Sequence, residues 1–239
     1  MRIVAITLLI VAIAHAATAA PTNFDDETRF LFALWGDDVT WVNFDEYPDG
    51  APVPTGQTLT GDEWAMEDVI FSSPGNILST TPTGIGTASS PPNYLSISDT
   101  GTGNQNLTIT FDVPMIAVGF TLLGPDFVDE GDQIIFRAPG GGVVTTLPLP
   151  AAYMLLPPTG PQMVAAGLQM VDPSFFVGLI SDSQPIGSVD IMRVTSAGDP
   201  VAIDDVVFQV PEPSSIVLAL LGCATLAWYR RRKHSVKVI

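Results

Sequence analysis

Between residues 39 and 210 short apolar stretches, one of them with a clean period of two, are separated by glycine, proline or short acidic and hydroxyl turns. The clearest stretch is Leu107, Ile109, Phe111 and Val113 alternating with Thr108, Thr110 and Asp112. Side chains alternate across a strand but return every 3.6 residues on a helix, so this pattern commits the chain to β structure. Further strand candidates are 39–44, 117–123, 133–138, 143–147, 175–180, 188–195 and 202–210. Between them stand turn-forming runs: Gly124-Pro125-Asp126, Pro139-Gly140-Gly141-Gly142, Ser181-Asp182-Ser183 and Gly198-Asp199-Pro200. Many short strands with such breaks predict an all-β fold, a jelly-roll-like β-sandwich. Residues 72–104, rich in Ser, Thr, Pro and Gly, read as a long loop with one strand at 94–98. One short N-terminal helix is expected. Thr22 or Asn23 caps it, Asp25, Asp26 and Glu27 suit its dipole, Phe24, Leu31 and Trp35 recur near helical spacing, and Gly36 ends it.

Both ends read as targeting segments. Arg2, the apolar run 3–13 and the small residues of 14–19 have the layout of a secretory signal peptide, cut after Ala16 or Ala19. Segment 1–19 is thus expected to be a signal helix and 20–210 the secreted body. Beyond the body, Pro211-Glu212-Pro213 stops the last strand, because proline cannot donate to a ladder. An uncharged run, 216–229, follows, and Arg230, Arg231, Arg232 and Lys233 form a basic stop. As a helix that run covers about 21 Å, short of the ~30 Å hydrocarbon core of a bilayer. Ser214, Ser215 and snorkelling arginines extend it, and a transmembrane helix over 214–229 is predicted. The basic end stays cytoplasmic, which puts the body outside.

This tail resembles the PEP-CTERM sorting signal of Gram-negative bacteria. The features that carry the resemblance are the triplet at 211–213, the short apolar helix and the terminal basic cluster, paired with a signal peptide. It implies recognition by an exosortase, a membrane protease-transpeptidase, at or near the triplet. The body is then released or attached to the cell envelope or an extracellular matrix, and Pro211, Glu212 and Pro213 are a processing site. The body also resembles domains that precede such tails, through FDDETRFLFAL, VTWVNFDEYPDG, GDEWAMEDVIFSS, ITFDVPMIAVGF, IIFRAPGG, FFVGLISDSQPIGSVDI and AIDDVVF. The last of these is similar to the final strand of carbohydrate-binding jelly rolls. That similarity implies a structural calcium between the first and last strands, held here by Asp45 or Glu46 and by Asp204 or Asp205.

What the body lacks narrows its chemistry. Residues 21–210 contain no His, Cys or Lys. This excludes Ser-His-Asp and Cys-His nucleophiles, His/Cys zinc sites and lysine Schiff bases within them. They hold 24 acids against Arg29, Arg137 and Arg193, a net charge of −21. A surface of that sign repels nucleic acid and attracts divalent cations. Each arginine is expected in a structural pair with a carboxylate. Carboxylate pairs alone suffice for glycoside hydrolysis, and Asp37-Asp38, Asp62-Glu63, Glu67-Asp68 and Asp129-Glu130 are adjacent acids. In so acidic a chain such pairs read as solvated. Calcium suits the acids better, since it takes six to eight oxygens from carboxylates and carbonyls. On simple alternation Asp204 shares a face with Val206 and Phe208, and a carboxylate facing a core needs a partner. Asp126, Asp129, Glu130 and Asp132 are a second acidic cluster, read as a solvated turn. For a sugar, the candidate aromatics are Tyr47 and Trp64, whose places near turn residues suit either exposure or a loop anchor, while Trp41 reads as core.

The sequence therefore predicts a non-enzymatic secreted or surface protein, sorted to the envelope or matrix. Its partners are an exosortase-type enzyme, the membrane through the C-terminal helix, and extracellular polysaccharide. A calcium-dependent carbohydrate-binding module is the alternative, and a glycoside hydrolase the second alternative.

Overall fold

The computed structural model describes residues 20–34, 39–75, 77–80, 92–98, 105–123, 132–149, 174–193 and 202–210. The expected signal helix, the transmembrane helix 214–229 and the basic stop lie outside the described residues. So do Trp35, Gly36 and most of the second acidic cluster. The chain divides into two compact units, Met1–Gln209 and Val210–Ile239.

The first unit is built from two antiparallel sheets. Its strands are β1 (Thr22–Phe24), β2 (Thr40–Val42), β3 (Thr58–Leu59), β4 (Val69–Ser72), β5 (Ile77–Thr80), β6 (Leu95–Ser98), β7 (Gln105–Met115), β8 (Ala117–Leu123), β9 (Gln133–Arg137), β10 (Val143–Pro148), β11 (Phe175–Ile180), β12 (Ile186–Arg193) and β13 (Ala202–Gln209). Helix α1 (Glu27–Ala33) precedes β2, and a 3-10 turn spans Ala65–Glu67. The larger sheet has the order β1-β11-β8-β13-β6-β5-β3, with β2 also on β13; the smaller has β10-β9-β12-β7-β4. The predicted β-sandwich with one short N-terminal helix is thus found.

The period of two is what joins the sheets. Leu107, Ile109 and Phe111 of β7 and Val189 and Ile191 of β12 turn inward from the small sheet. Val118, Phe120 and Leu122 of β8 and Ile203, Val206 and Phe208 of β13 meet them from the large one. Their partners on the outward faces, Thr108, Thr110 and Asp190, are partly exposed. On the outward face of the small sheet Arg137 pairs with Asp190, which also accepts from Thr108 Oγ1 at 2.9 Å. Arg137 thus takes the structural role expected of it.

The helix starts later than the sequence suggests. Thr22–Phe24 form β1 on β11, and Asp26 is the cap, accepting from Arg29 N at 2.8 Å. Pairing with a neighbouring strand overrides the capping propensity of Thr22 and Asn23. The helix lies on the outward face of the large sheet, where Phe30 and Leu34 pack with Ala117, Phe176 and Val207. Room for Phe30 comes from Gly119 and Gly178, which face each other across β8 and β11. A Cβ at Gly178 would stand 2.7 Å from the Phe30 ring and 2.8 Å from Phe176.

One strand beyond the expected 94–98, β5, lies in the stretch that the sequence suggests is loop, and β4 ends at its edge. β4 and β5 carry Ser and Thr beside their apolar residues, and β4 completes the small sheet by pairing Val69–Ser72 with β7.

Candidate acidic site on the large sheet

β13 changes neighbours half-way along. Ala202 and Ile203 pair with β6 on one side, whereas Val206, Val207 and Phe208 pair with β2. On its other side β13 follows β8 throughout, with one extra residue between Asp204 and Val207. This bulge puts Asp205 in the left-handed region, at φ 48°, and Asp204 Oδ1 accepts from Asp205 N at 2.9 Å. Bulges re-aim side chains, and this one corrects the expectation from alternation. Asp204 is opposite Thr121, on the face away from Ile203, Val206 and Phe208, and is fully buried there.

Where β13 changes neighbours, the segment after β2 meets Asn93, two residues before β6. Asp45 Oδ1 accepts from Asn93 N at 2.8 Å. Asn93, itself buried, donates through Nδ2 to Val53 O at 3.0 Å and accepts from Thr55 Oγ1 at 2.9 Å. Asp45 is thereby fixed beside β13. Burial pushes its carboxyl above the usual carboxylate range; the Asn93 amide opposes this, and the charges of Asp205 and Glu46 add to the rise. Glu27, in the first turn of α1, is raised by burial and then by Asp205 and Asp26. Asp205 therefore acts on one carboxylate from the N-terminal helix and one from the β2 loop. That is the charge arrangement that favours either protons or a cation. Among the described residues, however, no three His, Cys, Asp or Glu side chains converge as a metal cluster.

The four acids expected at a calcium site divide accordingly. Asp45 and Asp205 come within electrostatic reach of each other, and Asp204, adjacent to Asp205 in the chain, is buried. Glu46 is exposed; its carbonyl accepts from Trp64 Nε1 at 3.1 Å and its backbone bridges Pro52. Glu27 was not foreseen as a site residue. Its signal, three acids opening a helix, was read only as dipole compensation.

The aromatic expectations are corrected. Trp64 is 1% exposed, edge-on to Phe44 at 5.2 Å and to Phe71 at 5.9 Å, and belongs to the core. A ring enclosed in this way cannot stack on a sugar. Tyr47 is half-buried, its ring 6.0 Å from that of Trp64. Trp41, read as core, is 40% exposed on β2 opposite Val207. Val39 and Val42 flank it with Thr40, but β2 is only three residues long and the Trp41 ring stays exposed.

Of the adjacent acids, Asp62 and Glu63 close a turn. Glu63 accepts from the amides of Thr60 and Gly61, and Asp62 from Thr60 Oγ1. Glu67, in the 3-10 turn, is raised by burial, and its Oε2 is buried without a hydrogen-bond partner.

The C-terminal residues answer a different question. Val210 leaves β13 exposed, and the Pro-Glu-Pro triplet, the apolar run and the basic cluster follow directly. Residues 209–233 match the PEP-CTERM protein-sorting motif. The chain carries a PEP-CTERM sorting signal. This motif marks proteins that are exported and processed at the cell envelope, with a C-terminal hydrophobic anchor region. No curated protein matches the chain. Among solved structures, the body is similar to the K1 cleaved adhesin domain of Lys-gingipain from Porphyromonas gingivalis W83, at 9% identity and a TM-score of 0.39, over 72% of this chain and 98% of that one. It is also similar to a variant of a family 29 carbohydrate binding module, at 10% identity and a TM-score of 0.33, over 72% and 91% of the two chains. Among the described residues no helix is long and apolar enough to cross a membrane; the PEP-CTERM apolar run lies outside them.

Proposed function

We propose that the body is a non-catalytic surface domain, handed by its PEP-CTERM signal to an exosortase-type enzyme. The cut falls at or near Pro211-Glu212-Pro213, and the domain is left in the envelope or extracellular matrix. The carrying observation is the sorting motif directly behind the last strand of a sandwich. The absence of His, Cys and Lys from 21–210 supports a non-catalytic body. The test is intact mass of the protein from its native host, fraction by fraction. A mass ending near residue 211 in the outer or extracellular fraction is expected. A mass running to Ile239 in the inner membrane, or unchanged processing when 211–213 are replaced by alanine, overturns this reading.

A second reading is a calcium-dependent carbohydrate-binding module. Asp45 and Asp205, joined by carbonyls of the same loops, are its cation ligands. Their mutual repulsion supports this, because a cation would relieve it. Trp41, the exposed indole on the same sheet, replaces Trp64 as the stacking residue. A ligand bound only by the folded state raises its stability, so EDTA lowers the melting temperature on this reading. An unchanged melting temperature removes the calcium, and a glycan array on which Trp41→Ala binds like the parent removes the indole.

A further inference from the structure

We propose that the C-terminal end of β13 is a latch that opens to give the sorting enzyme an extended substrate, with the buried Gln209 amide as its built-in weak point. The proposal rests on the sorting reading above. A peptidase binds its substrate extended and through main-chain groups, and a residue held in a sheet ladder has those groups occupied. Here the sheet runs up to the motif almost without a linker. β13 ends at Gln209, Val210 alone stands between it and Pro211, and the sorting match begins at Gln209 itself. At about 3.3 Å per residue, Val210 supplies only one step of free chain upstream of the triplet. The residues before it must leave the ladder if the enzyme is to grip them.

The strand is held unevenly along its length. Val206, Val207 and Phe208 pair with β2, and from Val207 on β8 is paired on the opposite side as well. Gln209 pairs only with Ala117 of β8, and its carbonyl accepts from Ile116 N at 3.0 Å. Its side chain is 3% exposed, yet Oε1 has no hydrogen-bond partner. A buried carbonyl without a donor disfavours the closed state, because opening returns it to water. The last rung is therefore the weakest, while Val206 and Phe208, buried in the core, stop the opening from spreading.

The test uses the full chain in a host carrying the sorting enzyme. Gln209→Met keeps the volume and removes the stranded carbonyl. It should raise hydrogen-exchange protection at residues 208 and 209 by roughly tenfold or more and slow conversion to the processed mass. A four-residue Gly-Ser insertion between Val210 and Pro211 should restore processing in that variant while protection stays high. Raised protection with unchanged processing overturns the latch, as does an insertion that fails to restore the rate. Unchanged protection overturns the weak point. A parent chain that is never cut, or cutting that survives alanine at 211–213, overturns the sorting reading and the latch with it.

Discussion

Trp64 sets its ring edge-on against Phe44 and Phe71 and its Nε1 on the Glu46 carbonyl. Trp64→Ala opens a void among those rings and strands an acceptor. It should cost about 3–5 kcal/mol, read from urea unfolding of the body. Trp41→Ala, on an open face, should cost well under half as much. The reverse ranking would move the core. Glu67 makes a separate residue-scale case. Its carboxyl is raised by burial with one oxygen unpartnered, so the charged form is disfavoured in the fold. Glu67→Gln should therefore raise the urea midpoint at pH 7. The gain should vanish as pH falls through the raised value, where the parent carboxyl is already neutral. An equal gain at pH 4 would mean that packing, and not charge, is responsible.

At the scale of elements, α1 owes its seat to two glycines on neighbouring strands. Gly178→Ala pushes a methyl into both Phe30 and Phe176, and it should destabilise by about 1–3 kcal/mol. Limited proteolysis should then cut first within 24–34; unchanged protection of that segment would mean the helix is held by other contacts. Strands such as β8 and β11 were legible to the residue, because apolar runs end there in turn chemistry that acts locally. β5 was not, since its Ser79 and Thr80 match a loop and only pairing with β6 makes it a strand. β1 was misread for the same reason. The acidic site was half legible. Asp45 and Asp205 are among the four acids that the resemblance to carbohydrate-binding jelly rolls implies. The reversal of Asp204 depends on a bulge that alternation does not reveal, and Glu27 reaches Asp205 only through the docking of the helix.

At the scale of the molecule, a body of net charge −21 repels itself at neutral pH. Asp45 and Glu27 add to that, raised first by burial and further by the charge of Asp205. Their carboxyls lie higher in the folded state than in the unfolded chain, so between those two ranges the folded state binds more protons. The contribution of these two groups is therefore a rise in stability as pH falls from 7 toward the ordinary carboxylate range, with no further gain below it. Melting temperature against pH checks this, and Asp205→Asn should reduce the rise while the part due to burial remains. A profile that the substitution leaves untouched would remove the coupling.

The order of strands also bears on how such a chain is made. β13 is the last strand before the sorting motif, yet it lies inside the large sheet, joining β8 to β6 and β2. During vectorial export the N-terminal strands emerge first and find their central neighbour missing. The sheet closes only once residues 202–209 have crossed. The strand that completes the large sheet is therefore among the last parts of the body to emerge, directly ahead of the sorting motif.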